Sequence, residues 1–207
     1  RVSFKASLMN NAIREHISEQ SSISAVQEEF FAAHDVLEKL LWIASLCDRF
    51  VSYVNCCSVE SFGNIKGALF ELEPVERTLN FWIECLEKND VNIKKCAMEL
   101  QRSIALLSHL GETVIPNSAE TFADELCMRS LMAQSYLDHA ASSILRLKTL
   151  IQPKITASEG ENESNEESNH LLGKMDSFVF QARGLKVAMG KIYRAVDELR
   201  SRSLALP

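Results

Sequence analysis

A chain of 207 residues with 46% hydrophobic and 24% charged side chains has enough apolar mass for a sizeable core, which excludes a disordered chain. Its net charge of −6 gathers largely in the acidic stretch EGENESNEE (159–167) and leaves no basic stripe, which argues against nucleic acid as a partner. Only seven Gly and four Pro supply turn chemistry, too little for a many-stranded fold, so the chain reads as all-α.

The chain starts at Arg1 without a charged and apolar leader, as expected of a piece of a longer protein with no secretion signal. Residues 1–20 read as one weaker helix, or the tail of a preceding segment. A heptad seam follows in Ile23, Val26, Phe30, Ala33, Leu37, Leu40, Ala44, Cys47, Val51 and Val54, with Ser24 and Gln27 as a capping box. A helix over 22–58 would be about 55 Å long. Its most apolar run, LLWIASLC (40–47), is far short of the roughly 20 residues that span a bilayer, so no membrane insertion is expected.

The stretch EPVERTLNFWIECLEKND (73–90) reads as a helix with Pro74 in its first turn and Glu73 and Glu76 at the positive end of its dipole. Val75, Leu79, Trp82 and Leu86 share one face with Ile83 beside them, which marks Trp82 as a core anchor. Phe81 lies off that face and is expected to pack on a second helix. The charges Glu76, Arg77, Glu84, Glu87 and Lys88 lie mostly away from the apolar face. A solvated surface is the plain meaning of such charges; Glu76, Arg77, Glu84 and Lys88 are also the candidate partner-contact residues.

Helical spacing returns in Ile93, Ala97, Leu100, Ile104 and Leu107, between a cap at Asn89/Asp90 and a stop at Gly111. A further helix is opened by Pro116 and Asn117, with Glu120 three residues after the Asn, and carries Leu126, Ala133, Leu137, Ala140, Ile144, Leu147 and Ile151. Residues 153–169 are Pro-broken, acidic and poor in large apolar groups, so a solvated loop is expected there. That loop holds two candidate phosphorylation sites, Ser158 and Ser164. The last seam is Leu171, Met175, Phe178, Ala182, Leu185, Met189, Ile192, Val196 and Leu199. Flanking apolar residues such as Phe31, Leu41, Leu106 and Leu110 widen the stripes, as in helices with two neighbours. With short connectors such as GETVIP, the pattern predicts an elongated antiparallel bundle: helices over 21–152, the acidic loop, and a long C-terminal helix over 170–203 that completes it.

Sites for chemistry are missing from this pattern. GLKVAMGK (184–191) departs from phosphate-loop spacing and lies inside the last seam. The histidines at 16, 34, 109, 139 and 170 are scattered, with no HExxH pair and no Glu-x-x-His repeat. Asp138 and His139 are neighbours in sequence and so point about 100° apart on a helix. Six cysteines, at 47, 56, 57, 85, 96 and 127, have no ligand spacing and read as reduced core thiols. The chain is therefore expected to be non-enzymatic, with no metal and no cofactor.

The stretch NCCSVESFGNIKGALFELEPVERTLNFWIECLEKND (55–90) resembles the large, Glued-type subunit family of dynactin, in the globular intercoiled region between its two long coiled coils. The likeness rests on Cys57, Ser58, Val59, Phe62, Glu76, Arg77, Leu79, Phe81, Ile83, Glu84, Leu86 and Lys88, and extends more loosely through 119–152 and 171–199. Trp82 stands where the family usually has an aliphatic residue. The resemblance implies a helical interaction and spacer module in the dimeric projecting arm that supports dynein activation and microtubule-based transport, in the cytoplasm and on the cytoskeleton. It also implies as partners other dynactin subunits, namely the actin-related filament and the shoulder. The dynein intermediate chain would be reached through flanking coiled coils. The alternative is a helical tethering or trafficking scaffold unrelated to dynactin.

Overall fold

The computed structural model describes residues 1–19, 27–116, 118–157 and 162–204, and all secondary structure among them is helical. The elements are α1 (Val2–Glu19), α2 (Gln27–Cys56), α3 (Val59–Phe70), α4 (Glu73–Glu87), α5 (Ile93–Val114), α6 (Ala119–Ala157) and α7 (Asn162–Leu204). The chain divides into two compact units, Arg1–Met128 and Arg129–Pro207, with α6 contributing to both.

The first unit is a helical bundle around one core. Leu40 and Ile43 of α2, Leu79 and Trp82 of α4, and Leu100 and Leu107 of α5 are buried together. α1 closes that core with Val2, Ala6, Met9 and Ile13, spaced three and four apart. It is thus a full wall of the bundle, where the sequence suggests only a weak helix. Its polar residues fasten it: Ser3 Oγ donates to Asp48 at 2.7 Å and Asn10 Nδ2 donates to the Leu37 carbonyl at 3.2 Å. These pairs set α1 antiparallel to α2, and Trp82 with Glu99 sets α4 antiparallel to α5. α2 and α5 run parallel instead, since α3 and α4 intervene to return the chain. Gly111 near the end of α5 accordingly faces Phe50 near the end of α2, with 3.9 Å between a Cβ built there and the ring.

α2 meets both α1 and α5 and buries a broad face. The heptad residues Ala33, Leu37, Leu40, Ala44 and Cys47 are covered, and so are Val36, Ile43 and Leu46. Ile23, Val26 and the Ser24 of the expected capping box lie outside the described residues.

Several helix ends differ from their sequence signals. The cap of α5 is Asn92, whose side chain accepts from the Lys95 amide at 2.9 Å. Asn89 ends α4 instead, with φ 53°. The Asp90 amide bonds the Cys85 carbonyl and the Asn89 amide bonds that of Leu86, the paired bonds of a Schellman close in which Asn replaces the usual Gly. Gly111 does not stop α5, which continues to Val114; the glycine is buried beside Phe50, at a distance where an added Cβ would make ordinary van der Waals contact. α6 is opened by Ser118 and Thr121, each side-chain oxygen accepting the other residue's amide. Asn117, the expected cap, lies outside the described residues.

In the second unit the C-terminal part of α6 and α7 form an antiparallel hairpin. Ala141, Val179 and Ala182 are its buried centre, flanked by Leu137, Ile144 and Leu145. Lys148 Nζ reaches both oxygens of Asp176 at 2.6 and 2.7 Å, and Lys186 pairs with Asp138. The stretch expected as a loop is largely taken into these helices: α6 runs through Pro153 to Ala157 and α7 starts at Asn162. Proline removes a single hydrogen bond, and near a helix end few remain to lose. Ser158 lies outside the described residues; Ser164 falls within α7.

The seam of α7 is also rotated from its expected place. Ala182 is buried and Met175, Met189 and Val196 are half-buried, but the row at Leu171, Phe178, Leu185, Ile192 and Leu199 is exposed; buried Val179 and half-buried Leu172 and Tyr193 take its place.

Candidate partner face on the fourth helix

The candidate residues lie on α4, a helix held on one side by core packing. Pro74 in the first turn needs no amide partner, and Glu73 and Glu76 favour the positive helix end. Val75, Leu79 and Trp82 are buried, and Leu86 and Ile83 pack against the same core. Trp82 is 2% exposed, and its indole Nε1–H donates to Glu99 Oε2 at 2.9 Å, so the one polar atom of this anchor is satisfied.

The opposite face carries Arg77, Phe81, Glu84 and Lys88, at the three- and four-residue steps that place side chains in one stripe. All four are exposed. Arg77 is held by Glu73 at 2.5 Å, and Lys88 lies 3.9 Å from Glu84. Phe81 stands edge-on to Trp82, with ring centroids 5.0 Å apart and 78° between planes, and is 49% exposed. It therefore packs edge-on against Trp82 of its own helix, and about half of its surface stays exposed, where packing on a second helix was expected.

Glu76 does not join that stripe. It sits at the edge of the core face and pairs with Lys5 of α1 at 2.5 Å. The Lys5 hydrogen bond, with the added field of Lys5 and Arg1, holds its carboxyl below the usual carboxylate value of 4.5. A carboxyl with a lowered folded pKa stabilises the fold above its ordinary value, and the effect is lost as pH falls through the folded value. Lys5→Met should therefore reduce stability at neutral pH and leave it unchanged once the carboxyl is protonated, well below pH 4.5. Denaturant unfolding of the two proteins at both pH values checks this; a difference that persists in acid would show that Lys5 acts through packing.

An apolar groove of about 540 Å³ opens beside the N-terminus of α4. Cys47, Phe50, Val51, Val54, Phe70 and Leu72 form its walls. Sequence reasoning missed it because Val51 and Val54 continue the α2 heptad, and the place where that seam loses its partner depends on how α3 folds back.

Of the six thiols, Cys47, Cys96 and Cys127 are buried, and burial pushes Cys47 and Cys96 up to about 12. Cys56 is exposed and is not a core residue. Among the described residues no three of His, Cys, Asp and Glu gather to hold a metal ion. Asp138 is engaged by Lys186. No helix is long and apolar enough to cross a membrane, among the described residues.

The family model named Dynactin, described as dynein associated protein, matches residues 1–196. Dynactin subunit 1 of Gallus gallus is 25% identical over 135 residues, covering 65% of this chain and 11% of that protein. The chain thus spans a small part of the relative it matches, and no solved structure matches it.

Proposed function

Because the chain belongs to the dynactin family of dynein-associated proteins, we propose that it is a non-enzymatic helical interaction and spacer module of a Glued-type large subunit, within the projecting arm that supports dynein activation and microtubule-based transport. The observation that carries this reading is a family match running from α1 into α7 across both compact units. In this reading the parent protein is a homodimer working in the cytoplasm on microtubules. Its partners are the actin-related filament and shoulder of dynactin and, through flanking coils, the dynein intermediate chain.

Support comes also from how the helices spend their apolar faces. The first unit buries them in side-chain packing, while charged and aromatic residues of α4 stay outside, as suits a domain that offers surfaces. Affinity purification of the full-length protein should recover actin-related filament subunits and dynein chains. Recovery of vesicle-coat or tether subunits in their place would discard the dynactin role.

The stripe on α4 is the proposed contact within the arm. Arg77→Glu together with Lys88→Glu should weaken recovery of the other dynactin subunits and leave the melting curve unchanged, since both side chains are exposed and their ion pairs contribute little. Undiminished recovery would remove the stripe from the interface.

A further inference from the structure

We propose that Cys85 and Cys96 form a peroxide-responsive dithiol site, closed by oxidation into a disulfide that clamps α4 to α5 beside their connection. This goes beyond the dynactin role and does not depend on it. The two helices are antiparallel and joined by the five residues 88–92. Trp82 Nε1 bonds Glu99 Oε2 at 2.9 Å across the pair, so one turn onward along α4 and one turn back along α5 bring Cys85 level with Cys96. Both backbones are pinned by the same connection. The Asp90 amide donates to the Cys85 carbonyl at 3.0 Å, and the Cys96 amide donates to the Asn92 carbonyl at 2.9 Å. Cys96 is wholly buried, and the half-buried Cys85 packs against the same core.

Cys47, the other buried thiol of this core, is out of reach of Cys96. Phe50 faces Gly111 on the parallel α2 and α5, so Cys47 lies level with Ser108, about 18 Å along the helix from Cys96. Burial first, then Glu99 and Cys85, push the Cys96 thiol up to about 12, so it stays protonated at neutral pH. The first step therefore falls to Cys85, which is the more accessible of the two. Its thiolate sulfur attacks hydrogen peroxide: an S–O bond forms, the O–O bond breaks, and the hydroxide released leaves as water with the proton the thiol gave up. The Cys96 sulfur then attacks the Cys85 sulfur. The S–S bond forms, the S–O bond breaks, and the hydroxyl leaves as water with the Cys96 proton. Two thiols are oxidised by two electrons in all, and one peroxide is reduced to two waters.

The test is treatment of the 207-residue chain with hydrogen peroxide, alkylation of the remaining thiols after unfolding, and mass mapping of tryptic peptides. A product joining Thr78–Lys88 to Cys96–Arg102 should appear and should vanish with dithiothreitol. The bridged chain should melt at a higher temperature than the reduced one, because a cross-link narrows the unfolded ensemble. Cys85→Ser, a small change at a half-buried position, should fold like the parent and lose both the joined peptide and the melting shift. Cys56→Ser, which removes an exposed thiol on α2, should keep both. Sulfinic acid at Cys85 with Cys96 left free to alkylate would overturn the proposal. So would a link from Cys96 to any other cysteine, an unchanged or lowered melting midpoint in the bridged chain, or loss of the bridge in Cys56→Ser.

Discussion

Trp82→Ala is expected to destabilise the first unit by about 3–5 kcal/mol, the range for removing a large aromatic from a close-packed core. Two losses combine at this position. The indole is 2% exposed among Val75, Leu79 and the facing residues of α5, so its removal opens a cavity that rigid helices close only in part. Its Nε1–H also bonds Glu99, which would be left to seek water at the edge of the core. Denaturant unfolding followed by far-ultraviolet circular dichroism and by the remaining Trp42 would measure the change. An unaltered midpoint would mean that the ring is not enclosed in solution and would return Trp82 to the candidate contacts. Glu99→Gln, which keeps an acceptor for the indole, should cost far less.

Met9→Ala should destabilise the same unit by about 2–5 kcal/mol, although the residue sits in a stretch whose sequence reads only as a weak helix. Met9 is wholly buried between Ala6 and Ile13, where α1 covers α2 and α4. Leu8→Ala is the internal control: Leu8 is 47% exposed one residue away, and its loss should change the midpoint little. Equal effects from the two substitutions would show that α1 does not occupy the observed register. No effect from either would place α1 outside the cooperative core.

Both results bear on what could be read before the fold was seen. The α4 and α5 faces were plain, because a helix with one buried side writes its apolar residues at steps of three and four, and Val75, Leu79, Trp82, Leu100, Ile104 and Leu107 all fall where that rule puts them. The weight of α1 was not. Its buried residues include Ala6, too small to mark a stripe, and its exposed side carries Phe4 and Leu8, which blur the contrast. Of the four candidate contacts, Arg77, Glu84 and Lys88 share an exposed stripe with Phe81. Glu76 is drawn aside by Lys5, a partner 71 residues away that no local pattern announces. The acidic stretch after Pro153 shows the limit of composition as a guide: poor apolar content argues against a packed core, yet a helix propagates into such sequence from a packed neighbour once nucleation is already supplied.

Rhythm and composition alone determined that this chain is helical, that the α5 face and the core side of α4 point inward, and that no familiar catalytic or metal-binding spacing is present. Those properties are local, since each follows from the 3.6-residue turn and from which side chains favour leaving water. Tertiary structure decided that α2 and α5 run parallel, that Gly111 lies inside a helix against Phe50, and that α7 turns Met175, Ala182 and Met189 inward while Phe178 and Leu185 stay outside. A heptad pattern specifies an apolar seam without naming how many helices will share it, and the number of neighbours settles which residues of that seam are covered.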